Sequence, residues 1–223
     1  MVERFEPRFQ GAPWPPGMGA LHVYVLPHAG VDAELLGMVR SIGPLMAGYP
    51  IDPQYTGSES DAGLLHVTVE MLADAPSSAY DQAARDQLAD ALRTGLAGVA
   101  PFTTEVGPPI ANVAGVVLDV SPREEIVALT EQVRGVIRDV RGEAALQHSG
   151  GAPHMSSGYA WASASSDALN SVLRNQVDLR RAPLYVDRVY LLDVIWALDK
   201  DTGGWRMSWE PLAEIPLGGT PRQ

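Results

Sequence analysis

Apolar and polar residues alternate at several places along the chain, and at others they recur with a helical period. Leu21, Val23 and Val25 are apolar, with His22 and Tyr24 between them, which predicts a strand over 21–26. Leu35, Leu36, Val39, Ile42 and Leu45 follow at helical spacing and predict a helix over 31–47. Pro50, Pro53 and Gly57 then mark a loop. From Leu64 to Leu72 alternation returns: Leu65, Val67, Val69 and Met71 are assigned to one face, His66, Thr68 and Glu70 to the other. A helix over 77–98, with Ser77 or Ser78 as N-cap, precedes a hairpin of Phe102–Val106 and Val113–Val120, whose loop holds Pro108 and Pro109. Pro122 opens a helix to about residue 140. Gln147–Gly151 reads as a loop and Ala152–Trp161 as a strand, with His154, Ser156 and Gly158 on one face and Met155, Ser157 and Tyr159 on the other. A helix over 166–175 and two long strands, Tyr185–Leu198 and Trp205–Ile215, complete the pattern, with Asp201-Thr202-Gly203-Gly204 as the turn between the strands.

The element order is therefore β-α-β-α-β-β-α-β-α-β-β, in two similar halves. His66 and His154 fall 88 residues apart, each on a strand followed by a helix, as in an internal duplication. Residues 1–19, rich in Pro and Gly, read as an irregular arm on the surface or partly disordered.

Composition narrows the function classes. The 223 residues include no cysteine, which removes disulfides, thiolate metal sites and a cysteine nucleophile. The net charge is −11 and Lys200 is the single lysine, so the basic face that holds a long duplex is missing. A short phosphorylated substrate fits this balance better. Neither a membrane-length apolar run nor a leader pattern occurs, and a cytoplasmic protein without membrane attachment is expected.

A lone strand histidine is ordinarily a surface or core residue. Here each histidine is followed two positions on by a hydroxyl, His66 with Thr68 and His154 with Ser156. Strand residues i and i+2 point the same way, roughly 7 Å apart, so each element offers an imidazole and a hydroxyl to one spot. Two such elements across a groove suit phosphodiester cleavage. One imidazole takes a proton from the attacking oxygen, the other protonates the leaving oxygen, and the hydroxyls hold the non-bridging oxygens. Metal-ligand spacings such as His-Glu-x-x-His are absent, and neither metal nor cofactor is expected.

Leu65-His66-Val67-Thr68-Val69 and Pro153-His154-Met155-Ser156-Ser157-Gly158-Tyr159 resemble the paired motifs of the two-histidine (2H) phosphoesterases. The branch they resemble is the 2′-5′ RNA ligase family, which includes RNA 2′,3′-cyclic phosphodiesterases. The likeness runs along about residues 20–216, and the stretch Trp205–Leu217 looks like the closing strand of many bacterial members. It implies an α+β, bilobal, duplicated fold in which two antiparallel sheets line a central groove and helices pack outside. It further implies a single domain over 20–217 between the arm (1–19) and a tail (218–223). His66 and His154 would be the catalytic pair, Thr68 and Ser156 the phosphate-binding hydroxyls. The second motif departs from the pattern at Ser157, where an aliphatic residue is usual, and at Gly158, a small insert.

The implied partner is a small nucleotide or an RNA end carrying a phosphodiester, handled by a monomer. The other reading of the same residues is a non-catalytic nucleotide-binding or regulatory module that keeps the groove. Four further residues are candidate groove contacts. His22 and Tyr24 lie on the non-core face of the first strand; His148 sits in a glycine-bracketed loop that would fold over the site; Tyr190 shares a face with Arg188. Tyr159 and Trp161, by strict alternation, are expected to face away from His154. Arg180-Arg181 reads as a solvated turn.

Overall fold

A computed structural model describes residues 1–57, 62–148, 151–177 and 181–220. Parts of the 48–62 and 141–151 loops, Arg180 of the expected turn and the end of the expected tail lie outside the described residues.

The chain opens with a small hairpin, β1 (Arg8–Phe9) and β2 (Ala12–Pro13), which is a sheet of its own. Among the described residues, nine further strands form one curled antiparallel sheet. Its first half is β11 (Trp205–Pro216), β10 (Arg188–Leu198), β3 (Gly19–Val25) and β5 (Val67–Met71), in that order. Its second half continues with β8 (His154–Ala160), β7 (Gly115–Ser121), β6 (Phe102–Ala111) and β9 (Ala182–Val186), with β4 (Ile51–Pro53) on the far stretch of β8. The expected two sheets are thus joined, and the join is narrow: β5 and β8 share one pair, Val67 opposite Met155.

Helices α2 (Gln82–Leu96) and α3 (Glu124–Arg141) cover the first half; α1 (Ala33–Met46) and α4 (Ser166–Gln176) cover the second. Each forms where a cap and an apolar stripe coincide. Asp81, rather than Ser77 or Ser78, caps α2 by accepting the Ala84 N–H at 2.8 Å, and Leu88, Leu92 and Leu96 make its buried face. In α3, Ile126, Leu129, Val133 and Ile137 are buried, Glu124 and Glu125 sit at the N-terminus and Arg138 and Arg141 at the C-terminus, matching the helix dipole. Ser165 caps α4 through the Ala168 N–H.

Four expectations are corrected. The 48–57 loop contains β4, which pairs with β8 through Ile51, Asp52 and Pro53. Pro108 and Pro109 are not in the hairpin loop: β6 runs on through them past a register shift after Val106, because a bulge accommodates residues that cannot donate to the ladder. Tyr185–Leu198 is two strands: Tyr185 and Val186 belong to β9 in the second half, and the chain crosses at Asp187 into β10. Residues 1–19 are packed rather than loose. Val2 bridges to Ala164 and is fully buried, the Phe5 N–H donates to the Ala160 carbonyl, and the Gly17 N–H donates to the Trp196 carbonyl. The arm therefore spans from the second half of the sheet to the first.

Alternation along the motif strands is also broken, once in each half. In the β3–β5 ladder Val23 pairs with Glu70 and Tyr24 with Thr68, leaving Val69 as the extra residue of a bulge. In the β7–β8 ladder Val116 pairs with Gly158 and Val117 with Ser156, leaving Ser157 extra. Every side chain after a bulge changes face. Glu70 and Gly158, expected beside the histidines, turn to the helix side. Met71 and Tyr159, expected in the core, turn to the side of the histidines. Gly158 is required there, since a Cβ would come within 2.6 Å of the Ile51 side chain.

Glu70, 2% exposed, pairs on the helix side with Arg134 of α3, which also donates to the Leu146 carbonyl at 3.0 Å. Removing one partner leaves a buried charge unpaired. Arg134→Ala is expected to lower the free energy of urea unfolding by about 3 kcal/mol, and Glu70→Leu/Arg134→Leu to recover most of it. Equal losses in the two variants would show that packing, not charge, fixes α3 on β5.

Candidate active site

The seam between the two halves is made by the middle residues of the two motifs. An antiparallel pair carries a local two-fold axis. At Val67–Met155 that axis exchanges His66 with His154 and Thr68 with Ser156. Val67 and Met155 are fully buried towards the helices, so the four flanking side chains share the opposite side. All four line one groove of about 500 Å³, a size suited to a small ligand.

The two imidazoles are held alike. His66 Nδ1 lies 2.8 Å from the Leu64 carbonyl and His154 Nδ1 lies 2.9 Å from the Ala152 carbonyl, in each case two residues back. A carbonyl accepts only, so the neutral ring carries its proton on Nδ1 and keeps the Nε2 lone pair free. Their surroundings differ. His66 is 4% exposed, stacked on Tyr24 at 4.2 Å between centroids and 14° between planes, with Trp209 edge-on at 5.8 Å. Burial, and to a lesser degree the nearby His154, lowers its pKa to about 4. His154 is exposed at the mouth of the groove.

Of the lesser candidates, three line the groove and one does not. His22 is buried, has its Nδ1 3.0 Å from the Ala20 carbonyl, and is pushed down to about 3 by burial. Tyr24 lies between His22 and His66. His148 is half-buried at the wall, and residues 149–150 of the loop expected to fold over the site lie outside the described residues. Tyr190 lies beyond the lining residues, and its neighbour Arg188 is occupied by Asp187 at 2.8 Å and by Glu214.

Tyr159 faces the groove, against expectation, because of the bulge at Ser157. Trp161 is half-buried against the 202–206 turn and stays outside. Tyr159 packs with Phe5 and Trp196 at 4.4 and 5.2 Å. Phe5, Arg8, Gln10 and Trp14 of the arm also line the groove, and Gln10 ties the hairpin to the Ala73 carbonyl at 2.7 Å. Sequence reasoning missed these residues, since no periodicity marks a Pro/Gly-rich arm. Among the described lining residues the permanently charged side chains are Glu6 and Arg8. No group of three or more His, Cys, Asp or Glu placed to hold a metal occurs among the described residues. No helix among them is long and apolar enough to cross a membrane.

A curled antiparallel sheet with helices outside and two His-x-Thr/Ser strands meeting at its seam is the architecture of the two-histidine phosphoesterases. The sequence profile of the family described as the 2′-5′ RNA ligase superfamily matches residues 51–194, more than half of the chain, and the protein belongs to that family. Among solved structures, TT0787 of Thermus thermophilus is similar with a TM-score of 0.61 at 18% identity, covering 90% of this chain and 98% of that one. E. coli LigT complexed with 3′-AMP is similar with a TM-score of 0.60 at 14% identity, over 90% and 98% of the two chains. A further structure described as a phosphoesterase gives 0.53 at 15%, over 89% and 98%. These likenesses establish the fold. No curated protein matches the chain by sequence.

The two buried histidines have a cost in acid. Unfolded imidazoles bind protons below about pH 6.5, whereas in the fold His66 resists to about 4 and His22 to about 3. The unfolded state then holds more protons, so stability falls with pH by about 1.4 kcal/mol per unit for each fully shifted histidine. His22→Asn is expected to lose less stability than wild type between pH 7 and 5, read as urea midpoints. Identical losses would mean that His22 is not held neutral by the fold.

Proposed function

We propose that the groove is the active site of a metal-independent phosphoesterase acting on a 2′,3′-cyclic phosphate or a 2′-5′ phosphodiester, in a small nucleotide or at an RNA end. The observation that carries this reading is the pairing of the motifs at Val67–Met155, which offers two imidazoles and two hydroxyls to one space. Membership of the 2′-5′ RNA ligase superfamily supports it. So does the likeness to E. coli LigT, whose structure is complexed with 3′-AMP.

His66 takes the general-base role, because burial keeps it neutral with Nε2 free. In hydrolysis of a cyclic phosphate, Nε2 removes a proton from the attacking water as its oxygen bonds to phosphorus. His154, at the mouth, first takes a proton from solvent on Nε2 and gives that proton to the ribose oxygen that leaves. Thr68 and Ser156 donate to the non-bridging oxygens, where negative charge builds in the transition state. Exchange with solvent returns both rings to their starting states. The groove has little fixed charge and the whole chain is acidic, which favours a small substrate over a long polyanion.

Turnover of a 2′,3′-cyclic nucleotide panel and a 2′-5′-linked dinucleotide, in EDTA, tests the reading. Wild type is expected to cleave at least one, and His66→Ala and His154→Ala each to lose roughly 10²- to 10⁴-fold in kcat. Variants as fast as wild type would remove the pair from the chemistry. Binding without turnover would instead mark a nucleotide-binding module. The acid limb of kcat/KM is expected near pH 4, where His66 takes up its proton; a limb near 6.5 would mean that a different group is the base.

A further inference from the structure

The N-terminal arm brings to the groove a positive charge that the acid–base reading leaves without a role. Its backbone is tied to both halves of the sheet. On one side the Glu3 N–H donates to the Val113 carbonyl at 2.8 Å and the Phe5 N–H to the Ala160 carbonyl at 2.7 Å; on the other the Gly17 N–H donates to the Trp196 carbonyl at 2.7 Å. Between these ties the β1–β2 hairpin is closed by the Trp14 N–H on the Pro7 carbonyl and pinned by Gln10 to the Ala73 carbonyl. The arm therefore crosses from one half to the other as a fixed wall of the groove, to which it contributes Phe5, Glu6, Arg8 and Trp14.

Arg8 is the single Lys or Arg among the described lining residues. Its Nη1 donates to the Gly11 carbonyl at 3.0 Å, across the hairpin turn, which holds the guanidinium in place and spends one of its five N–H donors. The chain has 27 Asp and Glu against 16 Lys and Arg, so carboxylates to neutralise an arginine are plentiful. Arg85, Arg134, Arg141, Arg188 and Arg206 are each paired with one. Arg8 pairs with none among the described residues, and Glu6, two residues before it on the same wall, forms no ion pair with it. A guanidinium fork left open to a ligand groove suits phosphate, which it binds through charge-assisted hydrogen bonds. Aromatic rings stand between the seam and the arm. Tyr159 follows Ser156 on the groove side of β8 and packs on Phe5 at 4.4 Å between centroids, and Phe5 packs on Trp196 at 5.0 Å. Such rings offer a nucleoside a surface to lie on.

We propose that Arg8 is a specificity-determining residue that binds a second phosphate of the substrate, on the 5′ side of the nucleoside whose diester reacts at the seam. The proposal rests on the reading of the groove as a phosphoesterase site and adds a substrate class to it: nucleotides carrying either a terminal 5′-phosphate or the next diester of an RNA chain.

Three substrates test it: a nucleoside 2′,3′-cyclic phosphate with a free 5′-hydroxyl, the same compound with a 5′-phosphate, and a dinucleotide ending in the same cyclic phosphate. Wild type is expected to favour at least one of the last two over the first by about tenfold in kcat/KM, mostly through KM, and the advantage to shrink as salt is raised. A gain for the 5′-phosphate alone assigns a terminal phosphate; a gain for the dinucleotide assigns the chain. In Arg8→Ala the ratio is expected to fall to within about twofold of one, with partial recovery in Arg8→Lys. No preference in wild type, or a loss in Arg8→Ala shared equally by all three substrates, overturns the proposal while the histidine reading stands. Calorimetry with a nucleoside 3′-monophosphate and a 3′,5′-bisphosphate gives the same comparison without turnover. Tighter, Arg8-dependent binding of the bisphosphate by a wild type that cleaves nothing would keep the second phosphate site and overturn the catalytic reading.

Discussion

Val67 and Met155 form the one ladder pair, among the described residues, through which the two halves of the sheet are joined. Both side chains point into the helix-covered core and are fully buried, so the register is fixed by apolar packing. A slip of one residue would send Val67 or Met155 to the groove and a histidine into the core. The same pair sets the two-fold relation between the motifs. The hydrophobic effect acting on two residues buried away from the groove thereby decides where four polar side chains meet.

From the seam outward, the two bulges do the remaining steering. A strand of period two can present His66 and Thr68, or His154 and Ser156, but it cannot then place Tyr159 on the same side. The extra residues Val69 and Ser157 shift the phase immediately after each hydroxyl. Glu70 is thereby sent to Arg134, which anchors α3, and Gly158 lets β4 and α1 approach closely. The bulge backbone is supported where it leaves the ladder: the Gln54 N–H donates to the Ser157 carbonyl at 2.9 Å and Ser157 Oγ donates to the Val116 carbonyl at 3.2 Å. Irregular backbone beside a site is costly unless its polar groups are satisfied in this way.

The electrostatics of the groove follow from burial more than from charge. His22 and His66 are enclosed by Trp14, Tyr24 and Trp209, which offer ring faces and edges but no counter-charge. An imidazolium there would be poorly solvated, so both rings are held neutral. His154 has the same backbone restraint but stands in solvent. A symmetric pair of motifs thus acquires an asymmetric pair of environments, one ring buried and the other open to solvent.

The main helices, the motif strands, the fold class and the two His-x-Thr/Ser elements can be read along the chain, because period-two and helical patterns report directly which side chains are buried. The resemblance of those elements to the 2H phosphoesterases was legible for the same reason: residues 65–69 and 153–159 are contiguous and local. Other features depend on contacts between segments far apart in the chain. The pairing of Val67 with Met155 joins positions 88 residues apart, and no local pattern encodes a register. The bulges depend on partner strands, so strict alternation misplaced Glu70, Met71, Gly158 and Tyr159. The arm has neither period nor motif, yet it lines the groove because Val2 and Trp14 find buried positions, and Phe5 a half-buried one, across both halves of the sheet. The proton affinity of His66 was equally hidden, since desolvation is set by the whole enclosure around the ring and not by its neighbours in sequence.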